Sequence, residues 1–346
     1  MDRAGGCVRG FFIITTTSET HKHYQSFASL PGNEIGVYVY NHRLGHGIVG
    51  AALDEDIRAA AARFRPDFVV YVGACGGNVP SPESFRSLRE EIAPTIHFCS
   101  DAADDPWWPL LEVYERKESF SLQVALDGVL PPPIAESGLA ALTPIDLAFY
   151  DTGILPHMKR DIAIGFAGNV GQRRKKKGRI LSVDPRLEFA EYLQGHGLQV
   201  RLRVGGPENY HEVAQFLCHC RMVPNFAQTG SRRHLHVKGR VIEAGLAGAT
   251  LIEPRGSPTV RWFKPGVDYL EWGNVEEAAA HADRLRGRPE ETEAMGARLR
   301  ARVIAEHSPA AFWRRIFDRL GLVADAKPAP RQIVESLVPV PPVLAA

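Results

Sequence analysis

The densest grouping of residues able to do chemistry is the run His234-Leu-His-Val-Lys-Gly-Arg-Val-Ile-Glu-Ala-Gly245. Its second half, continued by Leu246, Ala247 and Gly248, predicts a short helix whose Ala244, Gly245, Ala247 and Gly248 allow close packing on a sheet. Glu243 is the acid in that helix, and burying a carboxylate unpaired costs several kcal/mol at least. It therefore requires a pair of ligand hydroxyls or a nearby cation. Just ahead lie His234, His236, Lys238 and Arg240, so the helix start combines free backbone N–H groups, the positive end of the helix dipole and cations. That combination suits an anion. A buried Glu243–Arg salt bridge with incidental histidines would satisfy the same pattern.

A second grouping is the strand-like Asp161-Ile-Ala-Ile-Gly-Phe-Ala-Gly-Asn-Val-Gly171, followed by Gln-Arg-Arg-Lys-Lys-Lys-Gly-Arg179. Glycines at the carboxyl end of a parallel strand let amides approach a phosphate, which makes Gly168 and Asn169 candidates. Arg173 and Arg179 bound a stretch of six cations in seven residues. A solvated loop, a nuclear-localisation signal or an RNA contact would read alike. A nicotinamide site does not fit. The glycines are spaced G-x-x-G-x-x-G, and the next predicted strand ends in Arg203-Val-Gly-Gly with no acid to hold a ribose.

Other groupings carry less. Cys218-His219-Cys220 with His211 falls between a helix and a strand and lacks a second C-x-x-C pair, so no metal site is expected. In the N-terminal half, His97, Asp101 and the pair Trp107-Trp108 follow a predicted strand. They could line an acceptor side or form an ordinary polar loop.

These residues need a frame. Apolar runs alternate with helical periodicity in both halves, which predicts parallel sheets covered by helices. Strands are expected at Phe11–Thr16, Ile35–Tyr40, Phe68–Val72 and Thr95–Cys99, and then at Ile162–Phe166, Gln199–Val204, Met222–Phe226, Thr250–Ile252 and Tyr269–Glu271. The lapse from Tyr150 to Arg160 suggests a domain of residues 1–150 and another of 151–323, with a flexible Pro/Ala-rich tail at 324–346. At 346 residues, 45% apolar and 23% charged, the composition is that of a soluble globular protein. A net charge of +1 gives no global pull toward nucleic acid, so any anion site must be local. Five cysteines without a disulfide framework, and no apolar stretch of spanning length, fit the cytoplasm.

The stretch from His236 to Glu253, followed by Gly256-Ser-Pro-Thr-Val-Arg-Trp-Phe-Lys-Pro-Gly-Val-Asp-Tyr-Leu-Glu271, closely resembles the C-terminal domain of CgeB-like (spore-maturation-type) glycosyltransferases, relatives of the group 1 transferases. Leu142-Thr-Pro-Ile-Asp146, Lys159-Arg-Asp-Ile-Ala-Ile-Gly-Phe-Ala-Gly168 and Ser308-Pro-Ala-Ala-Phe-Trp313 add to the resemblance. It implies the GT-B architecture, two facing Rossmann-like domains with a C-terminal helix crossing back to the N-terminal one. It further implies a nucleotide diphosphate sugar as donor substrate, an unidentified acceptor, no cofactor and no metal, and a retaining reaction. By the same resemblance Glu243 meets the ribose hydroxyls and the amides of Gly239 and Arg240 meet the diphosphate. Lys238 with Arg179 or Arg173 neutralises it, and Thr259 faces the donor. Group 1 transferases carry a second glutamate eight positions earlier; here it is Leu235, with His234 or His236 as substitutes. An inverting reaction would look to Asp101 or His97 for its general base. A degenerate nucleotide- or glycan-binding protein and a nucleotide-sugar epimerase are the alternatives.

Overall fold

The computed structural model describes residues 8–15, 17–73, 79–102, 104, 119–150, 160–168, 174–176, 179–182, 184–203, 210–322 and 332–335; for 17–22, 174–176, 179–182, 203 and 332–335 only the backbone course is described. The chain divides into two compact units, Met1–Pro144 with Pro309–Ala346, and Ile145–Ser308. In chain order the first part contains β1 (Val8–Ile14), α1 (Thr17–Ala28), β2 (Asn33–Val39), α2 (Tyr40–Gly45), α3 (Ala51–Phe64), β3 (Phe68–Val72), α4 (Pro82–Glu91), β4 (Thr95–Cys99), β5 (Leu122–Ala125) and β6 (Leu139–Ala140). There follow β7 (Ile162–Ala167), β8 (Arg174–Lys176), β9 (Arg179–Ser182), α5 (Pro185–Gly195), β10 (Val200–Arg203), α6 (Tyr210–Cys218), β11 (Cys220–Pro224), α7 (Gly239–Leu246), β12 (Thr250–Pro254) and β13 (Tyr269–Trp272). The chain closes with α8 (Val275–Arg286), α9 (Pro289–His307), α10 (Pro309–Leu320) and β14 (Gln332–Glu335).

The first unit is a parallel sheet in the order β14-β2-β1-β3-β4-β5-β6. Parallel strands covered on both faces read as unbroken apolar runs, and β3, β4 and β5 are buried along their whole length. Alternate residues of β1 serve opposite faces: Phe11 and Ile13 pack with Leu53, Ile57 and Phe85, whereas Phe12 and Ile14 pack with Phe27, Phe68 and Phe98. α10 closes the second of these clusters. Its Phe312, Trp313, Ile316 and Phe317 recur at helical spacing and are almost fully buried there. The Trp313 ring stands within 6 Å of the Phe12, Phe27 and Phe68 rings, and its Nε1 donates to Ser26 Oγ at 3.1 Å. The helix after the second unit thus returns to the first sheet, as the resemblance implied.

The second unit has a parallel sheet, β10-β7-β11-β12-β13, and a separate antiparallel pair, β8 with β9. The small residues of α7 let it approach α9 closely. A Cβ on Gly245 would lie 2.6 Å from Val303 Cγ2, and one on Gly296 of α9 would lie 2.1 Å from the Gly248 carbonyl oxygen. Arginines hold the carboxyl end of α7. Arg160 donates to the carbonyls of Cys218, Cys220 and Ala247 at 2.7–3.2 Å, and Arg300 donates to that of Leu246. Cations there complement the helix dipole.

The structure adds to the sequence expectations: α1, α2, β5 and β6 were not anticipated, the cationic stretch carries the β8–β9 hairpin instead of a plain loop, and tail residues Gln332–Glu335 pair with β2. Among the described residues no helix is long and apolar enough to cross a membrane.

Because Trp313 is wholly enclosed by aromatic rings, Trp313→Ala should lower unfolding free energy by about 3–5 kcal/mol. Trp313→Phe should cost far less, about 1–2 kcal/mol for the Ser26 hydrogen bond and lost contact. Urea melts of the two variants check the order.

Candidate functional site

Ligands of open parallel sheets gather at the carboxyl ends of the strands. α5 and α8 are started by side-chain caps, Asp184 accepting from Arg186 N–H and Asn274 from Glu277 N–H. α7 starts on Lys238, which makes no side-chain capping hydrogen bond. The first-turn amides of Gly239 and Arg240 are thereby left to another acceptor.

Glu243, one turn into α7, is buried with 8% exposure. Its Oε2 pairs with Arg240 Nη1 at 2.7 Å, and its Oε1 accepts from the Tyr210 hydroxyl at 2.9 Å. Arg240 also donates to the Ala167 carbonyl at the end of β7 and lies over the Phe166 ring at 5.7 Å. The salt bridge that the sequence motif allowed exists, and the carboxylate keeps acceptor capacity beside it. A carboxylate offers about four lone-pair sites; the Tyr210 hydrogen bond takes one, and the Arg240 contact is an ion pair without hydrogen-bond alignment. Behind Tyr210 stands Tyr150, hydroxyl to hydroxyl at 3.3 Å. Burial, and after it the Glu243 charge, holds both phenols well above their usual range, so both remain protonated donors.

The segment leading into α7 doubles back on itself. Thr229 N–H donates to the His234 carbonyl and His236 N–H to that of Ala227, each at 2.9 Å, with Gln228 bridged to Leu235. This hairpin buries His236 and leaves Lys238 half-buried at the helix start. Leu235 Cδ1 faces Gly256, where a Cβ would stand 3.9 Å away. Gly168, directly after β7, sits beside Arg240: a Cβ there would lie 3.8 Å from Nη2. Asn169 and Arg173 lie outside the described residues, as do Trp107 and Trp108, and Arg179 is described only as backbone in β9.

A second carboxylate had escaped notice in the sequence. Glu253, near the end of β12, is wholly buried; its Oε1 accepts from Ser257 Oγ at 2.5 Å and Thr259 Oγ1 at 2.8 Å, and its Oε2 accepts from Asn225 Nδ2 at 2.8 Å. These donors pin the Pro258–Arg261 turn to the sheet edge. Burial raises the Glu253 carboxyl to about 7 against the lowering effect of its three donors and of His236. Thr259, expected to face a donor, is fully buried with its hydroxyl given to Glu253. Its side chain is a strut, and a ligand contact from it would need that hydrogen bond broken.

In the first unit, His97 does not suit the general-base role expected of it. Its ring is stacked on Tyr71 and Phe120 at 5.3 and 4.8 Å, it is buried, and burial pushes the imidazole down to about 3. A group that weakly basic has little drive to take a proton from an acceptor near neutrality. Asp101 is better placed: half-buried just past β4, in a left-handed backbone conformation (φ 54°). The buried Asp127 carboxylate holds this turn by accepting from the amides of Asp101 and Ala102 at 3.1 and 2.7 Å.

Residues 173–318 match the family described as "Glycosyl transferase-like". Among solved structures, the chain is similar to the Anabaena protein Alr3699/HepE in complex with UDP-glucose (TM-score 0.58, 12% identity, 91% of this chain and 100% of that one). It is similar also to a glycosyltransferase from Rickettsia africae (TM-score 0.56, 9% identity, 92% and 100%) and to sucrose-phosphate synthase from Thermosynechococcus elongatus (TM-score 0.54, 12% identity, 90% and 99%). Comparison with curated proteins finds no match. At such identities the likeness speaks to fold, and the chain has the GT-B fold.

Glu253 yields a pH signature. In the native state it keeps its proton to about pH 7, whereas an ordinary glutamate releases it near 4.5. Between those values the native state binds more protons than the unfolded one, so this residue's contribution to stability falls as pH rises, by roughly 3 kcal/mol. Glu253→Gln keeps an acceptor for Ser257 and Thr259 and has no proton to lose. Unfolding free energies measured from pH 4.5 to 7.5 should favour the variant progressively over wild type. Parallel curves would mean that Glu253 ionises normally.

Proposed function

We propose that the chain is a glycosyltransferase that moves a sugar from a nucleotide diphosphate sugar to an acceptor. The observation that carries this reading is the Glu243 carboxylate, held by Arg240 and Tyr210 beside the uncapped start of α7. At least one acceptor position per oxygen remains, which matches a vicinal diol such as the 2′ and 3′ hydroxyls of a ribose. From there the amides of Gly239 and Arg240, the positive end of the helix dipole and Lys238 are suited to a diphosphate. Arg173 and Arg179 are proposed as further cations, and Gly168 with Asn169 as close backbone neighbours of the donor. His236 supports the loop that leads to these amides.

In the reaction the bond from the anomeric carbon to the diphosphate oxygen breaks, an acceptor oxygen bonds to that carbon, and the acceptor proton is released. Negative charge grows on the leaving diphosphate, where helix amides and lysine stabilise it. On this account no metal is required, and we propose a retaining outcome and a CgeB-like subtype on the strength of the 236–271 motif. UDP and UDP-glucose in the HepE structures make UDP-sugars the first donors to try. Buried free cysteines at 99, 218 and 220 suit action in the cytoplasm.

A second reading, nucleotide binding without turnover, is favoured by Leu235, which puts an apolar side chain where a donor-sugar carboxylate is expected.

Incubation of the purified protein with a panel of nucleotide sugars separates these readings. Release of the nucleoside diphosphate supports transfer, an altered sugar supports epimerisation, and saturable binding without chemistry supports the second reading. In each case Glu243→Ala should weaken nucleotide binding by about tenfold or more, the loss of two charge-assisted hydrogen bonds. Unchanged affinity would remove the site assignment.

A further inference from the structure

The Glu243 carboxylate has two protein partners of different kinds, and the difference is informative. Arg240 lies one turn earlier on the same helix and would neutralise Glu243 wherever α7 is placed. Tyr210 reaches it from the first residue of α6, 33 positions away in sequence. A buried hydroxyl is costly without a partner, and for packing alone phenylalanine would serve. The Tyr210 ring is fixed by the edge of Phe149 at 4.9 Å and by Tyr150. Tyr210 has a single hydroxyl proton, and the Glu243 carboxylate accepts it, so the Tyr150 hydroxyl is the donor in the 3.3 Å contact between the two phenols. The chain Tyr150 to Tyr210 to Glu243 thus has one direction, and each bond polarises the next.

From this we infer that Tyr210 is a positioning residue: its hydroxyl takes one acceptor position on Oε1 while the Arg240 guanidinium stands 2.7 Å from Oε2 as an ion pair, and the carboxylate plane is turned so that an open position on each oxygen meets a ribose hydroxyl. The inference rests on the reading of Glu243 given under the proposed function. Without the Tyr210 hydroxyl, the guanidinium of Arg240 is free to engage both oxygens, because fork-to-fork pairing is the preferred geometry of an arginine and a carboxylate. That arrangement withdraws an acceptor from the diol.

Calorimetric titration tests this on the full chain, with whichever of UDP, GDP, ADP and CDP binds wild type most tightly, and with its 2′-deoxy counterpart. Tyr210→Phe is expected to weaken the ribonucleotide about tenfold, the size of a hydrogen bond to a charged group, and the deoxynucleotide less than twofold. In a Glu243→Gln background Tyr210→Phe should add nothing. A loss equal for both nucleotides, or none, while Glu243→Gln still weakens binding, overturns the role of Tyr210 and leaves that of Glu243 standing. No effect of Glu243→Gln, or no binding by any of the four, overturns the underlying site assignment and this inference with it. Should Tyr210→Phe fail to fold, Tyr150→Phe weakens the same chain one bond earlier. It is expected to give a ribose-selective loss of about twofold, and an unselective or absent loss again overturns the proposal.

Discussion

One ion pair organises the second unit: Arg240 with Glu243, one turn apart at the start of an eight-residue helix. A carboxylate this buried demands a cation, and the cation in turn demands more than one partner. Arg240 finds them in the Ala167 carbonyl at the end of β7 and the face of Phe166. The pair therefore ties α7 to a strand edge. That explains why the helix is built of small residues, which let α9 approach from the other side, and why arginines 160 and 300 secure its far end. The amino end is the part without a side-chain cap. A helix fixed in place without a side-chain cap at its amino end suits the anion proposed for it.

Ten residues on, Glu253 shows what happens to a carboxylate in the same unit when its direct partners are neutral. Serine, threonine and asparagine supply three hydrogen bonds, and burial still raises the group to about 7. Desolvation outweighs hydrogen bonding when no cation is in contact. The two acids thus divide the work at this sheet edge. Glu243 is paired with a cation and keeps acceptor positions, whereas Glu253 spends its positions on the turn that follows β12.

Much of this frame was legible in the sequence because burial on both faces of a parallel sheet writes itself as apolar runs. β3 and β4 match their predicted spans, and α10 shows its aromatic face at helical spacing. The need of Glu243 for a pair of hydroxyls or a cation also followed from its small apolar neighbours. What escaped were contacts that local patterns do not encode. Tyr210 and Tyr150 meet Glu243 only through tertiary packing. Glu253, standing before a proline, reads as the polar end of a strand. α1 was hidden by histidines, serines and a lysine, with Tyr24, Phe27 and Ala28 as its buried face. His97 looked like a base because a histidine in a predicted strand carries no sign of the aromatic rings that will enclose it.

The most direct test is a crystal structure of the protein with a bound nucleoside diphosphate. On this account both ribose hydroxyls lie within about 3 Å of the Glu243 carboxylate oxygens, the diphosphate meets the amides of Gly239 and Arg240, and the Arg240 and Tyr210 bonds persist. A nucleotide bound with its ribose away from Glu243, or a Glu243 that keeps only its protein partners, would contradict it.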